Sequence, residues 1–234
     1  MNIIRNDTLI KRNARIAQIT MIGGLLVLAG GMFISFRYPE QFGFSLGALM
    51  LGFLLSQVGI FFTNRWGRRP RPDELLAQAL KGMDKKYTLY NYSGPTSHML
   101  VGPAGIWVLM PYYQKGVITY DEKKGRWNQK GGNLYLKIFA QESLGRPDLE
   151  ALGEVDRVQK FISQRLPEDV NIPVHVALVF THPDVEINIP EDSGAPAETV
   201  QAGKLKDLVR KSAKSDSISL EKVQTINDAL VSSG

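Results

Sequence analysis

Two uncharged stretches near the start constrain this chain more than anything else in it. Ala17 to Phe36 reads AQITMIGGLLVLAGGMFISF, and Phe42 to Phe62 reads FGFSLGALMLGFLLSQVGIFF. A helix needs roughly 20 apolar residues to cross a hydrocarbon core, and both stretches have that length. The competing reading is a pair of buried core helices. Two adjacent uncharged spans fit it poorly in a soluble domain of this size. A cleavable signal peptide fits poorly too, because the first span has no convincing small-residue cleavage site and a second span follows at once. The connection Arg37 to Gln41 has room only for a tight turn, and Pro39 stops the first helix from continuing.

The flanking charges set an orientation. Arg5, Lys11, Arg12 and Arg15 precede the first span, and Arg65, Arg68, Arg69 and Arg71 follow the second. The turn carries Arg37 offset by Glu40. Positive charge stays on the cytoplasmic side, so the expectation is a two-span protein of the cytoplasmic membrane with both termini inside. The segment 64–72 is a basic linker stiffened by Pro70 and Pro72. Arg65, Trp66, Arg68, Arg69 and Arg71 are its candidate contacts with lipid headgroups. Residues 1–16 form the cytoplasmic segment before the first span.

Glycine is dense in both spans. Gly43 and Gly47 make a GxxxG pair, and Gly52 with Ser56 extends the small-residue spacing. Small residues let helix backbones approach where lipid removes the hydrophobic drive to associate. They serve either the packing of the two spans on each other or contact with a second copy through Gly43 and Gly47.

The rest reads as an α/β domain over 73–214, followed by a helix and tail over 215–234. Asp73 to Met83 has helical apolar spacing, with Asp73 and Glu74 in the first turn where negative charge suits the helix dipole. Tyr87–Tyr92, His98–Val101, Ile106–Met110 and Val117–Tyr120 read as strands, and Arg126–Trp127 opens a return strand after the turn Asp121–Gly125. Leu149 to Leu166 is helical; Val174 to Phe180, VHVALVF, is a strand buried on both faces. Ile187 to Ile189 reads as a short strand, Glu191 to Pro196 as a loop, and Ala202–Lys214 and Leu220–Val231 as amphipathic helices. Helix, meander, helix, buried strand and helix predict an α/β sandwich with a mixed central sheet.

The run His98-Met-Leu-Val-Gly-Pro-Ala-Gly-Ile-Trp-Val-Leu109, followed by Gly116-Val-Ile118 and Trp127, resembles the NERD domain, the nuclease-related branch of the restriction-endonuclease-like PD-(D/E)XK superfamily. The likeness covers about Asp73 to Arg210. It implies a restriction-endonuclease-like α/β/α core with a mixed central sheet. The family pattern resembles D-H-L-V-V-G-P-x-G-V-F-V-I-E-x-K. Its Asp and Glu bind a divalent metal, and its Lys helps to position or activate the attacking water. Carried onto this chain, those positions are Ser97, Met110 and Tyr112. A thioether and a phenol cannot hold Mg²⁺ through a charged oxygen. No Asp or Glu lies between Lys85 and Tyr120, so no shift of register supplies one. Glu74 matches an acid of the family's first helix, and alone it makes a poor cation site. The resemblance thus implies a catalytically degenerate domain with no metal or other cofactor, in a binding or scaffolding role at the membrane face. The alternatives are a metal-dependent nuclease with a displaced site, using Glu74 as a remnant, and a non-cleaving nucleic-acid tether.

For the tether, Lys115, Lys123, Lys124, Arg126, Lys130 and Lys137 interleave with Tyr112, Tyr113, Tyr120, Trp127 and Tyr135. Such a pattern suits base stacking with phosphate contacts. Strand alternation alone also produces it, with one solvated face and one aromatic face in the core. Lys206, Arg210 and Lys214 share a helix face, read as solvated. His98 and His175 read as satisfied sheet histidines, and His182-Pro-Asp184 as turn chemistry. The chain has no Cys, which excludes disulfides, thiolate metal sites and thiol catalysis. The net charge of +5 favours anionic surfaces without choosing between lipid and nucleic acid.

Overall fold

A computed structural model describes residues 1–131, 143–166, 172–190 and 193–232. The chain divides into two compact units. One is a helical hairpin, Asp7–Arg71; the other contains Met1–Asn6 and the described residues after Arg71.

The hairpin consists of α1 (Asp7–Arg37), a 3₁₀ turn at Pro39–Gln41, α2 (Phe42–Phe62) and a π turn at Thr63–Gly67. Both helices are apolar and exposed: only 11% of the most apolar window of each is buried. Phe36 is 81% exposed and Phe44 75%. A core helix of a soluble protein would be mostly covered, so these two helices are dressed for lipid, and the protein associates with a membrane through them.

Apart from Asn13, the buried residues of the two hairpin helices follow a period of seven. On α1 the buried positions Ile10, Ala17, Gly24 and Gly31 recur at that spacing, and on α2 Ser45, Gly52 and Gly59 do the same. A strict seven-residue seam winds two helices about each other with a left-handed twist. The seam is built on missing side chains. A Cβ on Gly24 would stand 2.7 Å from Ser56 Oγ, one on Gly31 3.0 Å from Ala48 Cβ, and one on Gly59 3.0 Å from Met21 N. The GxxxG pair is elsewhere: Gly43 and Gly47 are exposed, with open space where their Cβ atoms would be. Intramolecular packing therefore uses Gly24, Gly31, Gly52 and Gly59.

In the other unit a mixed six-stranded sheet runs β1-β2-β3-β4-β7-β9. Its strands are β1 (Asn2–Arg5), β2 (Thr88–Asn91), β3 (His98–Gly102), β4 (Gly105–Tyr112), β7 (Val174–Phe180) and β9 (Glu198–Gln201). Strands β2, β3 and β4 form an antiparallel meander, while β1, β7 and β9 join parallel to their neighbours. A second, three-stranded sheet comprises β5 (Gly116–Asp121), β6 (Arg126–Lys130) and β8 (Val185–Ile187). The helices are α3 (Pro72–Ala79), α4 (Pro147–Arg165), α5 (Leu205–Ser215) and α6 (Leu220–Val231).

Period-two alternation divides the core between the two faces of the large sheet. On one face Met99, Val108, Met110, Tyr112 and Phe180 pack with Ala151 and Val158 of α4, Ile226 and Leu230 of α6, and Ile118 and Trp127 of the small sheet. On the other, Leu100, Trp107, Leu109 and Val179 pack with Leu76 of α3, Leu80 just after it, and Leu205 and Val209 of α5. The result is three layers, helices on either side of a mixed sheet.

Three boundaries differ from the sequence reading. Residues 2–5 are an edge strand, paired Asn2 to Thr88 through Arg5 to Asn91, rather than part of a free leading segment. The proposed linker is half helical: the π turn covers Thr63–Gly67 and α3 already begins at Pro72, whose fixed φ suits a first helical position. Helix α6 belongs to the domain, because Val223, Ile226 and Leu230 are core residues. Glu191 and Asp192 of the expected loop lie outside the described residues, as do Tyr135 and Lys137.

Candidate functional site

Strands β3 and β4 meet at the turn Gly102-Pro103-Ala104-Gly105, where Gly102 pairs directly with Gly105. Both glycines are required by their surroundings. A Cβ on Gly102 would fall 2.2 Å from the Tyr87 ring, and Gly105 combines a φ of +78° with an approach of 2.4 Å to Pro173 O. This turn fixes the register that carries the family positions along β4.

Those positions hold packing residues. Met110 and Tyr112 are each 9% exposed and belong to the apolar cluster beneath α4. The Tyr112 ring stacks on Phe180, with centroids 5.5 Å apart. Its hydroxyl donates to Glu150 Oε2 at 2.9 Å. The carboxylate that meets Tyr112 is thus supplied by the first turn of α4, and it accepts a hydrogen bond from the phenol. Its neighbour Asp148 is held by the Arg146 fork, with Nη2 to Oδ2 at 2.6 Å and Nε to Oδ1 at 3.1 Å. That hydrogen bonding holds the Asp148 carboxyl below the ordinary carboxylate range. Ser97 is exposed in the β2–β3 turn, where its carbonyl accepts from Tyr92 N at 2.7 Å.

Glu74 does not join them. It rides on α3, which packs through Leu76 and Leu80 against the opposite face of the sheet. Glu74 and the Met110–Tyr112 pair therefore have the sheet between them. Among the described residues no group of three or more His, Asp or Glu side chains is arranged to hold a metal ion.

A polar row on the α3 face was hidden from sequence reasoning. Arg5, Asn91 and His98 lie side by side on β1, β2 and β3. His98 Nδ1 is 2.8 Å from Asn91 Oδ1, and its ring meets Tyr92 edge-on. Arg5 Nη1 lies 3.5 Å from Asp73 Oδ2, whose side chain is 1% exposed. The signal was present only as Asp73 heading a helix and Arg5 preceding a span. Nothing local in the sequence says that residues so far apart meet.

The other histidines are structural. His175 stacks on Trp107 at 4.6 Å, and burial pushes its imidazole below its usual pKa; contrary to the expected satisfied histidine, its Nε2 is buried with no hydrogen-bond partner among the described residues. His182 Nδ1 accepts from Asp184 N at 3.0 Å, closing a turn.

The basic hairpin separates as strand alternation demands. Ile118, Tyr120 and Trp127 point to the core; Tyr120 and Trp127 meet edge-on at 4.9 Å, and Trp127 Nε1 donates to Thr199 Oγ1 at 2.9 Å. The opposite face carries Arg126 and Lys130 beside Asp121 and Glu186. Lys115, Lys123 and Lys124 are exposed, with Lys124 Nζ 3.8 Å from Asp121 Oδ2. Tyr120 and Trp127 are thus turned away from the lysines that would hold phosphates, whereas Tyr113 is exposed. Lys206 and Arg210 donate to Lys81 O and Gly82 O, just past the end of α3, where cations suit the terminal carbonyls.

Of the expected membrane contacts, Arg65, Arg68 and Arg69 are exposed and Trp66 is half-buried, but Arg71 is buried at 6% exposure and is not available to headgroups. A groove of about 600 Å³ between β8 and β9, edged by Glu186, Glu198, Gln201 and Lys204, contains none of the residues singled out from the sequence. No protein-family model matches the chain, and neither a curated protein nor a solved structure does so.

Proposed function

We propose that this protein is a membrane-anchored, catalytically degenerate NERD-like module that binds or scaffolds at the cytoplasmic face. The observation that carries the reading is the filling of the metal position. Where hydrolysis would need acids around a divalent ion, Met110 and Tyr112 are packed into the core and Tyr112 is tied to Glu150. Phosphodiester cleavage by this superfamily's chemistry depends on that ion to activate water and neutralise charge. The order of α3, the β2–β3–β4 meander, α4 and the parallel strand β7 supports a restriction-endonuclease-like core. The positive flanks of the hairpin support cytoplasmic termini. In chain order β1 precedes the hairpin and α3 follows it, and within the sheet unit Arg5 is ion-paired with Asp73. A binding role is what remains for an exposed domain held at a bilayer without a hydrolytic centre.

The test uses the full chain in nanodiscs, incubated with supercoiled plasmid and Mg²⁺ or Mn²⁺. The expected result is intact plasmid. Degradation that disappears in Glu74→Ala overturns the reading. Crosslinking in native membranes then identifies a protein partner or a second copy; capture of neither removes the scaffold role.

A further inference from the structure

The open end of the hairpin gathers more charge than the segment after α2 supplies. Met21 meets Gly59, Gly24 meets Ser56, and Leu28 meets Gly52 across the seam. Continued toward the open end, this antiparallel register brings the Arg15 stretch of α1 toward the π turn that holds Arg65. Helix α1 packs against the π turn that holds Arg65 and Trp66, so the two groups adjoin. Lys11, Arg12, Arg15, Arg65, Arg68 and Arg69 are all exposed. Between Thr8 and Pro72 the single acid is Glu40, at the far end of the hairpin. The acids that border the cluster along the chain are Asp7, in the first turn of α1, and Asp73 and Glu74, in the first turn of α3.

The depth of the cluster follows from length. A helix of 31 residues is about 46 Å long, against a hydrocarbon thickness of about 30 Å. The excess lies at the start of α1, because its other end runs straight into the turn. Lys11, Arg12 and Arg15 then stand in the headgroup layer, beside the apolar surface of Ile19 and Ile22. On the other strand of the hairpin the boundary is marked by rings. The Arg65 guanidinium lies 5.2 Å from the Phe61 centroid and 5.9 Å from the Trp66 centroid. Those contacts hold the cation where acyl chain gives way to phosphate.

We propose that this collar is a binding site for anionic phospholipid, built jointly by the start of α1 and the segment after α2. It takes the phosphodiester of a headgroup whose net charge is negative. Arginine forks match phosphate oxygens in pairs, and a collar of six cations favours a lipid that brings uncompensated charge over a zwitterion that carries its own cation. The neighbouring exposed aliphatic surface fits an acyl chain and not a nucleic-acid duplex. The inference rests on the membrane placement of the hairpin.

Trp66 provides the readout, because Trp107 and Trp127 are 2% and 3% exposed within the sheet unit and are out of reach of acyl chains. The full chain is reconstituted in equal parts of neutral phosphatidylcholine and anionic phosphatidylglycerol, with bromine on the acyl chains of one lipid or the other. The expected result is stronger quenching of Trp66 by the brominated anionic lipid, corresponding to an enrichment of about fivefold or more. That preference falls toward parity in 1 M salt, where the Debye length is about 3 Å. It also falls in the variant Arg12→Gln, Arg68→Gln, Arg69→Gln, which changes exposed positions only. Equal quenching by the two lipids, or a preference untouched by salt and substitution, overturns the lipid site while leaving the anchor intact. No quenching by either lipid overturns the membrane placement itself, and the site with it.

Discussion

Replacing Gly52 by Ala tests the hairpin seam directly. The added methyl would lie 2.7 Å from Leu28 Cγ, 2.9 Å from Leu28 N and 3.0 Å from Gly24 O. The leucine side chain can swing away, but the amide nitrogen and the carbonyl oxygen belong to the facing backbone. The helices must part by a few tenths of an ångström, and the loss spreads along a seam that relies on close approach. Overpacking of this kind costs about 1–3 kcal/mol. Gly47→Ala is the matched control: it adds the same methyl to the same helix in open space, and its cost stays within about 0.5 kcal/mol. The chain contains no Cys, so Gln18→Cys and Phe61→Cys can carry a fluorophore pair across the open end. Titration of the micelle-bound protein with SDS then reports separation of the helices by energy transfer. The midpoint shifts down in Gly52→Ala and holds in Gly47→Ala. The reverse order would refute the seam and return the packing role to the GxxxG pair.

Tyr112→Phe removes the hydroxyl that donates to Glu150 and keeps the ring on Phe180, so it lowers stability by about 0.5–1.5 kcal/mol in urea unfolding of the full chain; no change would mean that the hydrogen bond contributes nothing to packing α4. For His175, burial disfavours the cation more than Asp216 and Glu198 favour it, so the folded chain refuses a proton that the unfolded chain accepts near pH 6.5. Its stabilising contribution is present above that pH and is lost as pH falls below it. The difference in urea midpoint between pH 7.5 and 5.5 therefore shrinks in His175→Gln, and equal slopes in the two proteins would show that the imidazole is not desolvated.

Much of the fold was legible because its elements announce themselves locally. Val174–Phe180 is apolar throughout because both faces of β7 are covered, by Val176, Leu178 and Phe180 on one side and Ala177 and Val179 on the other. The extent of α6, Leu220 to Val231, was legible in its apolar spacing, and the structure adds Ser219, which accepts from Lys222 N as an N-cap. The turn between β3 and β4 was visible in its glycines. That positions 110 and 112 offer no carboxylate needed no structure, because they are Met and Tyr in the sequence.

What was missed depends on partners distant in sequence. Ile3 and Ile4 show no alternation, being exposed on an edge strand of four residues, so nothing marked Asn2–Arg5 as part of a sheet. The pairing of Arg5 with Asp73 needs the sheet to exist first. Gly24 and Gly43 are equivalent by composition; only the register of α1 on α2 decides which glycine faces a neighbour and which faces outward. The face occupied by Glu74 likewise depends on where α3 docks, which residue spacing alone leaves open.

The placement of β1 has a consequence for how the chain is made. Asn2–Arg5 leave the ribosome before either apolar span, yet the strand they border, Thr88–Asn91, emerges only after both. If just one span threads the bilayer, the two strands end on opposite sides of the lipid and can never meet. Closure of that edge therefore requires that the two apolar helices cross together or not at all.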